Sequence, residues 1–181
     1  MSSPDADLLI HDHDELGGLL HQLITALEAR DIARSHAKLD WLWARLAMHI
    51  RAEHLHLFPA ILDSLNAEPT GDLVDRLALG EPQKVIADLR EDHNFFMLEL
   101  SESIVILRRL LDHGASDASG RLDEVVKRIE VVRERLVKHN QIEEQGVYLW
   151  TSTLLTQPDR AELVAKVHKE LENVPPRFRG A

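Results

Sequence analysis

His49-Ile-Arg-Ala-Glu53 is a motif that the chain repeats as His139-Asn-Gln-Ile-Glu143, 90 positions later (139 − 49). Each copy lies far along a stretch of helical periodicity. Residues four apart on a helix lie on one face, about 6 Å apart along the axis. Each copy can therefore present an imidazole and a carboxylate to the same point. The repeat predicts two long helices that direct these groups toward a shared centre.

Two further histidines complete a tandem arrangement. His13 and His93 lie 80 positions apart (93 − 13), and each directly follows an aspartate, Asp12 or Asp92. The chain thus carries a helix with His and then a helix with His-x-x-x-Glu, twice in succession. This order predicts two helical hairpins related by internal duplication.

Four amphipathic segments carry these residues, at 5–30, 31–65, 82–112 and 119–153. Leu, Ile, Val and Phe recur along them at spacings of three and four, as on helices that pack in a bundle. The sequence lacks the alternation of strands, so we predict an all-α fold. Short extra helices are expected at 72–79 and 159–172.

The C-terminal region predicts a smaller unit. Residues 1–155 are assigned to the bundle, and residues 156–181 to a C-terminal helix and a loose tail that begins at Pro175 and packs on the same domain. Pro59 has no N–H to donate to Leu55, which predicts a kink in the second segment just past the motif.

Hairpin geometry places the four histidines at matching heights. Residues at equal distance from the turn of an antiparallel hairpin lie side by side. With turns near positions 30 and 116, His13 pairs with His49 and His93 pairs with His139. Docking the hairpins can bring both pairs together. Six side chains are therefore predicted to form one metal site: His13, His49, Glu53, His93, His139 and Glu143.

Six polar residues at apolar seam positions are hard to explain as packing. A lone seam His is usually a satisfied core residue, but an unpaired buried carboxylate is costly and protonates instead. A pair of metal ions neutralises two carboxylates and uses neutral imidazoles as ligands. This mixture of nitrogen and oxygen donors suits iron, with manganese or zinc as alternatives.

The composition excludes other chemistry. The chain has 181 residues, a net charge of −10 and no Cys, which excludes disulfides, thiolate metal sites and iron–sulfur clusters. The first dense group of basic residues is at 177–179, which argues against nucleic acid and anionic membranes as partners. The acidic N-terminus is unlike a signal peptide, and no apolar run approaches the ~18 residues of a membrane span. A cytoplasmic location is therefore expected.

The pattern resembles the hemerythrin-like, or HHE cation-binding, domain family. The stretch His49-Ile-Arg-Ala-Glu53-His-Leu-His-Leu-Phe-Pro59 is similar to that family's second-helix signature, and the resemblance covers residues 8–153. It implies an up-down-up-down four-helix bundle with two non-heme irons and an oxo or hydroxo bridge. The same six residues are the implied ligands, with Glu53 and Glu143 bridging the irons.

Two departures separate the chain from the oxygen-carrying members of that family. Those members have a further His one turn after the helix-three His, where this chain has Met97. Their fourth-helix carboxylate follows its His by five residues, which here is Glu144, so Glu143 and Glu144 both stay open as ligands. The set of four His and two Glu is more similar to proteins that repair iron centres and to the iron- and oxygen-sensing domain of an F-box protein.

The resemblance implies a protein that binds or reacts with oxygen, nitric oxide or peroxide, in sensing, detoxification or iron-centre repair. The alternative is a metal-dependent structural or interaction bundle without turnover. Whether the chain is an enzyme, and which protein partner it has, stay open.

Several neighbouring side chains allow two interpretations. His54 either supports a metal ligand or lies on a solvated flank, and His56 is expected to be hydrated rather than to bind metal. Tyr148 is expected to be a core residue between helices rather than a donor beside the metals. Packing is expected for Trp41, Trp43 and Trp150, and a surface or rim position for His11, His21, His36, His113 and His168.

Overall fold

The computed structural model describes residues 4–67, 81–113 and 118–178. These residues form helices and short connections, and no strand occurs among them. The all-α class predicted from the sequence is confirmed for this part of the chain. The short helix predicted at 72–79 lies outside the described residues. None of the described helices is long and apolar enough to cross a membrane.

Four long helices correspond to the four amphipathic segments. The second and fourth each continue through a π-helical turn into a further α-helix. The elements are α1 (Pro4–Glu28), α2 (Ile32–Ala52), a first π-helical turn (Glu53–Leu57), α3 (Phe58–Ala67), α4 (Pro82–His113), α5 (Ala118–Ile142), a second π-helical turn (Glu143–Val147), α6 (Tyr148–Leu154), α7 (Gln157–Leu171) and a 3-10 turn (Pro176–Phe178).

Polar side chains determine where α2 and α7 begin. The Asp31 carboxylate accepts a hydrogen bond from the backbone N–H of Arg34, and the Thr156 hydroxyl accepts one from Asp159. Such caps satisfy backbone donors that the first turn of a helix leaves unpaired. Arg30 adopts a positive φ of 52° and closes the tight connection between α1 and α2.

The long helices contact one another in a ring: α1 with α2, α2 with α4, α4 with α5, and α5 with α1. Neighbours run antiparallel. In the first hairpin Lys38 bonds to Gln22, whereas Arg45, further along α2, bonds to the earlier residue Asp12. The same inverse order relates α4 to α5 and α1 to α5. Residues at one height on the four helices therefore face a common axis.

Two apolar clusters divide the interior along this axis. The first cluster includes Leu16, Leu46, Phe96 and Leu136 and extends toward the hairpin turns. The second cluster includes Leu9, Ala52, Leu89 and Val147 and draws on α3, α6 and α7. On α1, on α4 and along α5 into its π-helical turn, the predicted metal ligands fall between members of the two clusters. On α2 the clusters meet between His49 and Glu53, at Ile50 of the first cluster and Ala52 of the second. Burial of each large apolar side chain contributes about 1.5–3 kcal/mol, so a polar layer is held between two stable apolar layers.

The C-terminal helix α7 packs on α1 and α2. It buries Leu163, Val167 and Leu171. Its bounds, Gln157–Leu171, are close to the predicted range of 159–172. The predicted loose tail, as far as it is described, makes two contacts with α2. Arg177 donates to Asp40 at 2.8 Å, and the Phe178 ring lies 4.8 Å from the ring of Trp41. The division into units at residue 155 stays a prediction.

Candidate metal centre

The six predicted ligands meet at one height of the fold. Both Glu side chains have no exposed surface, and none of the four His exposes more than 5%. The Nε2 atoms of His13 and His49 lie 3.2 Å apart, and those of His93 and His139 lie 2.9 Å apart. We call these the first and the second histidine pair. The pairing expected from equal distances to the hairpin turns is therefore present.

The Glu53 carboxylate lies between the two histidine pairs. Its Oε1 is 3.5 Å from Nε2 of His49, in the first pair. Its Oε2 is 3.2 Å from Nε2 of His93, in the second pair. One carboxylate thus serves both pairs, with a different oxygen for each.

The Glu143 carboxylate repeats this arrangement from the opposite hairpin. Its Oε2 is 3.3 Å from Nε2 of His13, and its Oε1 is 3.0 Å from Nε2 of His139. Two groups of residues place donor atoms close enough together to hold a metal ion, and Glu143 belongs to both. They are His13, His49 and Glu143, and His93, His139 and Glu143.

Two aspartates hold one imidazole of each pair from outside. His49 Nδ1 donates to Oδ2 of Asp12 at 2.9 Å, and His139 Nδ1 donates to Oδ2 of Asp92 at 3.1 Å. A carboxylate only accepts hydrogen bonds, so the ring hydrogen resides on Nδ1. In the neutral ring, the Nε2 lone pair then faces the centre, as metal coordination requires.

Each aspartate is in turn held by an arginine on the neighbouring helix. Arg45 donates to Asp12, and Arg135 donates to Asp92 through Nε at 2.6 Å. We did not predict these four supporting residues. A signal for them exists, because Arg45 and Arg135 each precede a motif His by four residues and recur at the interval of the motif itself.

The remaining two imidazoles have unlike partners. His13 Nδ1 donates to Oε1 of Glu144 at 2.7 Å. Nδ1 of His93 instead faces Nε2 of His54 at 2.9 Å. Burial, followed by the charges of His93 and Arg90, lowers the pKa of His54 to about 4, so this ring is neutral and can accept. His54 therefore supports a predicted ligand and does not lie on a solvated flank.

Buried polar atoms in the centre lack partners. Oε2 of Glu53 and Oε1 of Glu143 are enclosed and accept no hydrogen bond of good geometry from the described residues, although Nε2 of His93 and of His139 lie 3.2 and 3.0 Å away. An unsatisfied buried carboxylate oxygen is costly, and a cation among such donors removes that cost. The inward imidazoles supply the neutral nitrogen donors that accompany it. The buried His and Glu groups could thus hold a metal ion.

Without a cation, the carboxylates and imidazoles compensate one another. Burial alone raises the pKa of Glu53, but the His49 charge outweighs it and holds the pKa well below its usual value. For Glu143, burial and the Glu53 charge both act to raise the pKa, yet His139 and His13 bring it below the usual value. Burial lowers the pKa of His49, but Glu53 and Asp12 reverse this and raise it well above its usual value. Protons thus occupy the centre when cations do not.

The Tyr148 hydroxyl lies inside the centre, so the prediction of a role limited to packing is wrong. Its Oη is 2.8 Å from Oε1 of Glu53, 3.0 Å from Nε2 of His13 and 3.3 Å from Oε2 of Glu143. Burial, followed by the charges of Glu143 and Glu53, raises the pKa of Tyr148 well above 10. With no cation present the hydroxyl keeps its hydrogen and donates it to Glu53, its nearest acceptor.

The second π-helical turn explains how Tyr148 reaches the centre. The Tyr148 N–H donates to the carbonyl of Glu143, five residues earlier. In a regular α-helix, residues five apart point about 140° away from each other. The wider turn reduces that angle and brings both side chains to one face. Periodicity of 3.6 residues could not reveal this.

The first π-helical turn occupies the equivalent place. The Phe58 N–H donates to the carbonyl of Glu53, and the turn ends at Leu57, two residues before Pro59. A π-helical turn, where we predicted a kink, thus interrupts the helix here. The second turn forms without a proline, so proline is not required for it. Phe58 corresponds to Tyr148 in the repeat, and its ring stacks on His93 at 6.1 Å between centroids.

Other residues singled out in the sequence lie away from the centre. Nε2 of His56 is 3.9 Å from Glu170, and Met97 packs against the first apolar cluster. Trp43 and Trp150 pack in the apolar clusters, as expected. His11, His21 and His168 are exposed, His36 is half-buried, and the side chain of His113 lies outside the description.

Comparisons with models of protein families, with curated proteins and with solved structures found no match to this chain. A function therefore has to be inferred from the centre itself. That centre combines two histidine pairs, two shared carboxylates and one phenol in a buried layer.

Proposed function

We propose that the chain is a hemerythrin-like, up-down-up-down four-helix bundle that holds two iron ions and binds or reacts with oxygen, nitric oxide or peroxide. The observation that supports this most strongly is the division of each carboxylate between the histidine pairs. Glu53 and Glu143 each turn one oxygen to the first pair and the other oxygen to the second. Two ions, one per pair and bridged by both carboxylates, would use all four oxygens.

The donor set favours one choice between the two adjacent glutamates. Glu143 is enclosed between the pairs, whereas Glu144 is about one-third exposed and accepts from the outer nitrogen of His13. We therefore propose Glu143 as the bridging ligand and Glu144 as a support for His13. Mixed imidazole and carboxylate donors suit iron, with manganese or zinc as alternatives.

The bound iron pair supplies redox and Lewis-acid chemistry to a small molecule. The chain's own residues determine how that chemistry is confined. Asp12 and Asp92 fix the orientation of one imidazole in each pair, and the apolar clusters on both sides exclude bulk water. The burial of every proposed ligand favours molecules of a few atoms over organic substrates. Met97 packs on the core, so we do not propose the reversible oxygen carriage of the oxygen-carrying relatives.

Anaerobic reconstitution with Fe(II), metal quantification and visible spectra would test this proposal. We expect about two irons per chain, and spectral changes when oxygen, azide or nitric oxide is added. A folded chain that retains less than about half an iron after exposure to excess Fe(II) would contradict it. Manganese and zinc, tested in parallel, would identify the preferred metal.

A structural role is the second candidate, and one observation favours it. The two glutamates have no exposed surface, as in a metal site that only stabilises the fold. Metal-dependent stability without turnover of hydrogen peroxide would support this reading. Peroxide turnover that requires bound iron would support the reactive one.

A further inference from the structure

The Tyr148 hydroxyl belongs to the surroundings of one histidine pair only. Its three polar neighbours are Nε2 of His13, Oε1 of Glu53 and Oε2 of Glu143, at 3.0, 2.8 and 3.3 Å. Those two carboxylate oxygens are the ones turned toward the first pair. The phenol oxygen is therefore grouped with the donors of the proposed first ion.

The spacing of these atoms is that of ligands sharing one ion. Two adjacent donors bound at about 2.1 Å to an octahedral metal ion lie about 3 Å apart. The Nε2 atoms of His13 and His49 show this spacing at 3.2 Å, as do His13 and Glu143 at 3.3 Å. The distances from Tyr148 Oη fall in the same range. The phenol oxygen is thus spaced like a ligand.

Among the residues that the structure describes, no such donor lies at the second pair. The residue that corresponds to Tyr148 in the repeat is Phe58, whose ring stacks on His93 with an interplanar angle of 13°. Phe58 is fully buried, so the second histidine pair has a hydrocarbon ring beside it where the first pair has the phenol. The two proposed ion positions therefore differ by one protein donor.

We propose that Tyr148 is a fifth protein ligand of the ion held by His13 and His49, and that small ligands consequently bind the ion held by His93 and His139. The inference rests on the proposed function, because it needs two bound ions. A cation at the first pair favours the ionised phenol oxygen, as it does for a bound water or thiol. The hydrogen that Tyr148 donates to Glu53 in the metal-free centre leaves to solvent when the ion binds.

The sequence offers an unambiguous test, because Tyr148 is the only tyrosine in the chain. The full-length protein is reconstituted with Fe(II), oxidised to Fe(III) with ferricyanide, and examined by visible absorption and resonance Raman spectroscopy. We expect a phenolate-to-iron charge-transfer band with phenolate ring modes. Incorporation of ring-deuterated tyrosine should shift those modes in the wild-type chain.

Tyr148→Phe is the matched variant, since it places a phenylalanine beside the first histidine pair, as Phe58 already lies beside the second. It should keep about two irons per chain, lose the charge-transfer band and bind more azide per iron pair than the wild type. Two irons per wild-type chain without phenolate modes would overturn the inference and leave the proposed function standing. A wild-type chain that binds no iron would overturn both. If Tyr148→Phe does not fold, the isotope shift decides alone.

Discussion

The two helical hairpins build the same cage from the same parts. Each supplies an Asp-His pair, an Arg four residues before the motif His, and a Glu that opens a π-helical turn. Their differences lie immediately outside this shared set. Tyr148 lies beside the first histidine pair, and its counterpart in the repeat, Phe58, lies beside the second. In the same way, Glu144 accepts from His13, and its counterpart His54 contacts His93.

The hairpins also differ in how far their supporting arginines, Arg45 and Arg135, are buried. Arg45 is nearly enclosed and donates to the carbonyl of Leu171 at the end of α7, in addition to Asp12. Arg135 remains 42% exposed and lies against the ring of Phe95. Duplication thus accounts for two similar positions, while departures from the repeat make them chemically unlike.

Glu53→Ala and Glu143→Ala should have the largest effects, and they should be equal. Each carboxylate serves both histidine pairs, so removing either should loosen both of the proposed ions at once. We expect iron content to fall from about two per chain to well below one in each variant.

Glu144→Ala is the matched control, and metal quantification after reconstitution is the measurement. It should keep nearly full metal content. Loss of metal in Glu144→Ala with wild-type content in Glu143→Ala would move the bridging ligand by one residue.

Asp12→Asn and Asp92→Asn should weaken metal binding by about 10–100-fold, because each removes the acceptor that orients an imidazole. Asp12→Asn should also destabilise the metal-free chain more, by about 1–3 kcal/mol, since it removes one of the two carboxylates that pair with the enclosed Arg45 and leaves Glu15 as the other. Arg135 can be hydrated instead.

Chelator competition and urea denaturation measure these two effects, with exposed Asp14→Asn on the same helix as the control. Equal destabilisation by Asp12→Asn and Asp92→Asn would show that the burial of Arg45 does not increase the loss of stability.

The metal-free chain should be most stable in mildly acidic solution. The raised pKa values of His49 and His139 stabilise the fold fully below the usual 6.5, and this contribution is lost as pH rises through the raised values. The lowered pKa values of Glu53 and Glu143 stabilise it above the usual 4.5, and this contribution is lost as pH falls through the lowered values. Stability should therefore peak between these limits.

Urea midpoints of the chelator-treated chain at pH ~5.5 and ~9 test this, and a higher midpoint at the alkaline pH would contradict it. Metal occupancy should show the opposite trend. Protons compete with the ions for the imidazoles, so bound metal should fall as pH drops below ~6.5.

Glu144→Gln and His54→Gln should have the smallest effects. Both residues touch an outer imidazole nitrogen, but Glu144 is partly exposed and solvent screens its charge. We expect less than about tenfold weaker metal binding for Glu144→Gln, and still less for His54→Gln, because a neutral partner replaces a neutral partner. Chelator competition is the measurement. A larger effect of His54→Gln than of Glu144→Gln would contradict this order.

Much of this arrangement was predictable from local patterns. The apolar periodicity of three and four indicated the long helices, and equal distances to the turns paired His13 with His49 and His93 with His139. Both inferences depend only on helix geometry and chain order, which the sequence contains directly.

What escaped prediction depends on backbone exceptions and on docking. Tyr148 follows Glu143 by five residues, so helical periodicity put it on another face until the π-helical turn was known. The contact of His54 with His93 depends on how α2 meets α4, which no local pattern specifies. The contacts of the tail depend on docking in the same way, because the Phe178 ring lies against Trp41, far away in the sequence.

Complete burial of Glu53 and Glu143 also limits the rate at which a small molecule can enter the centre. A molecule that reaches a fully enclosed centre must wait for the surrounding helices to part. Collective motions of this kind occur on microsecond to millisecond timescales. The observed rate of ligand entry should therefore stop rising at high ligand concentration and level off at the rate of opening. Opening of the helices, rather than diffusion in solution, then limits how quickly a small molecule binds at the centre.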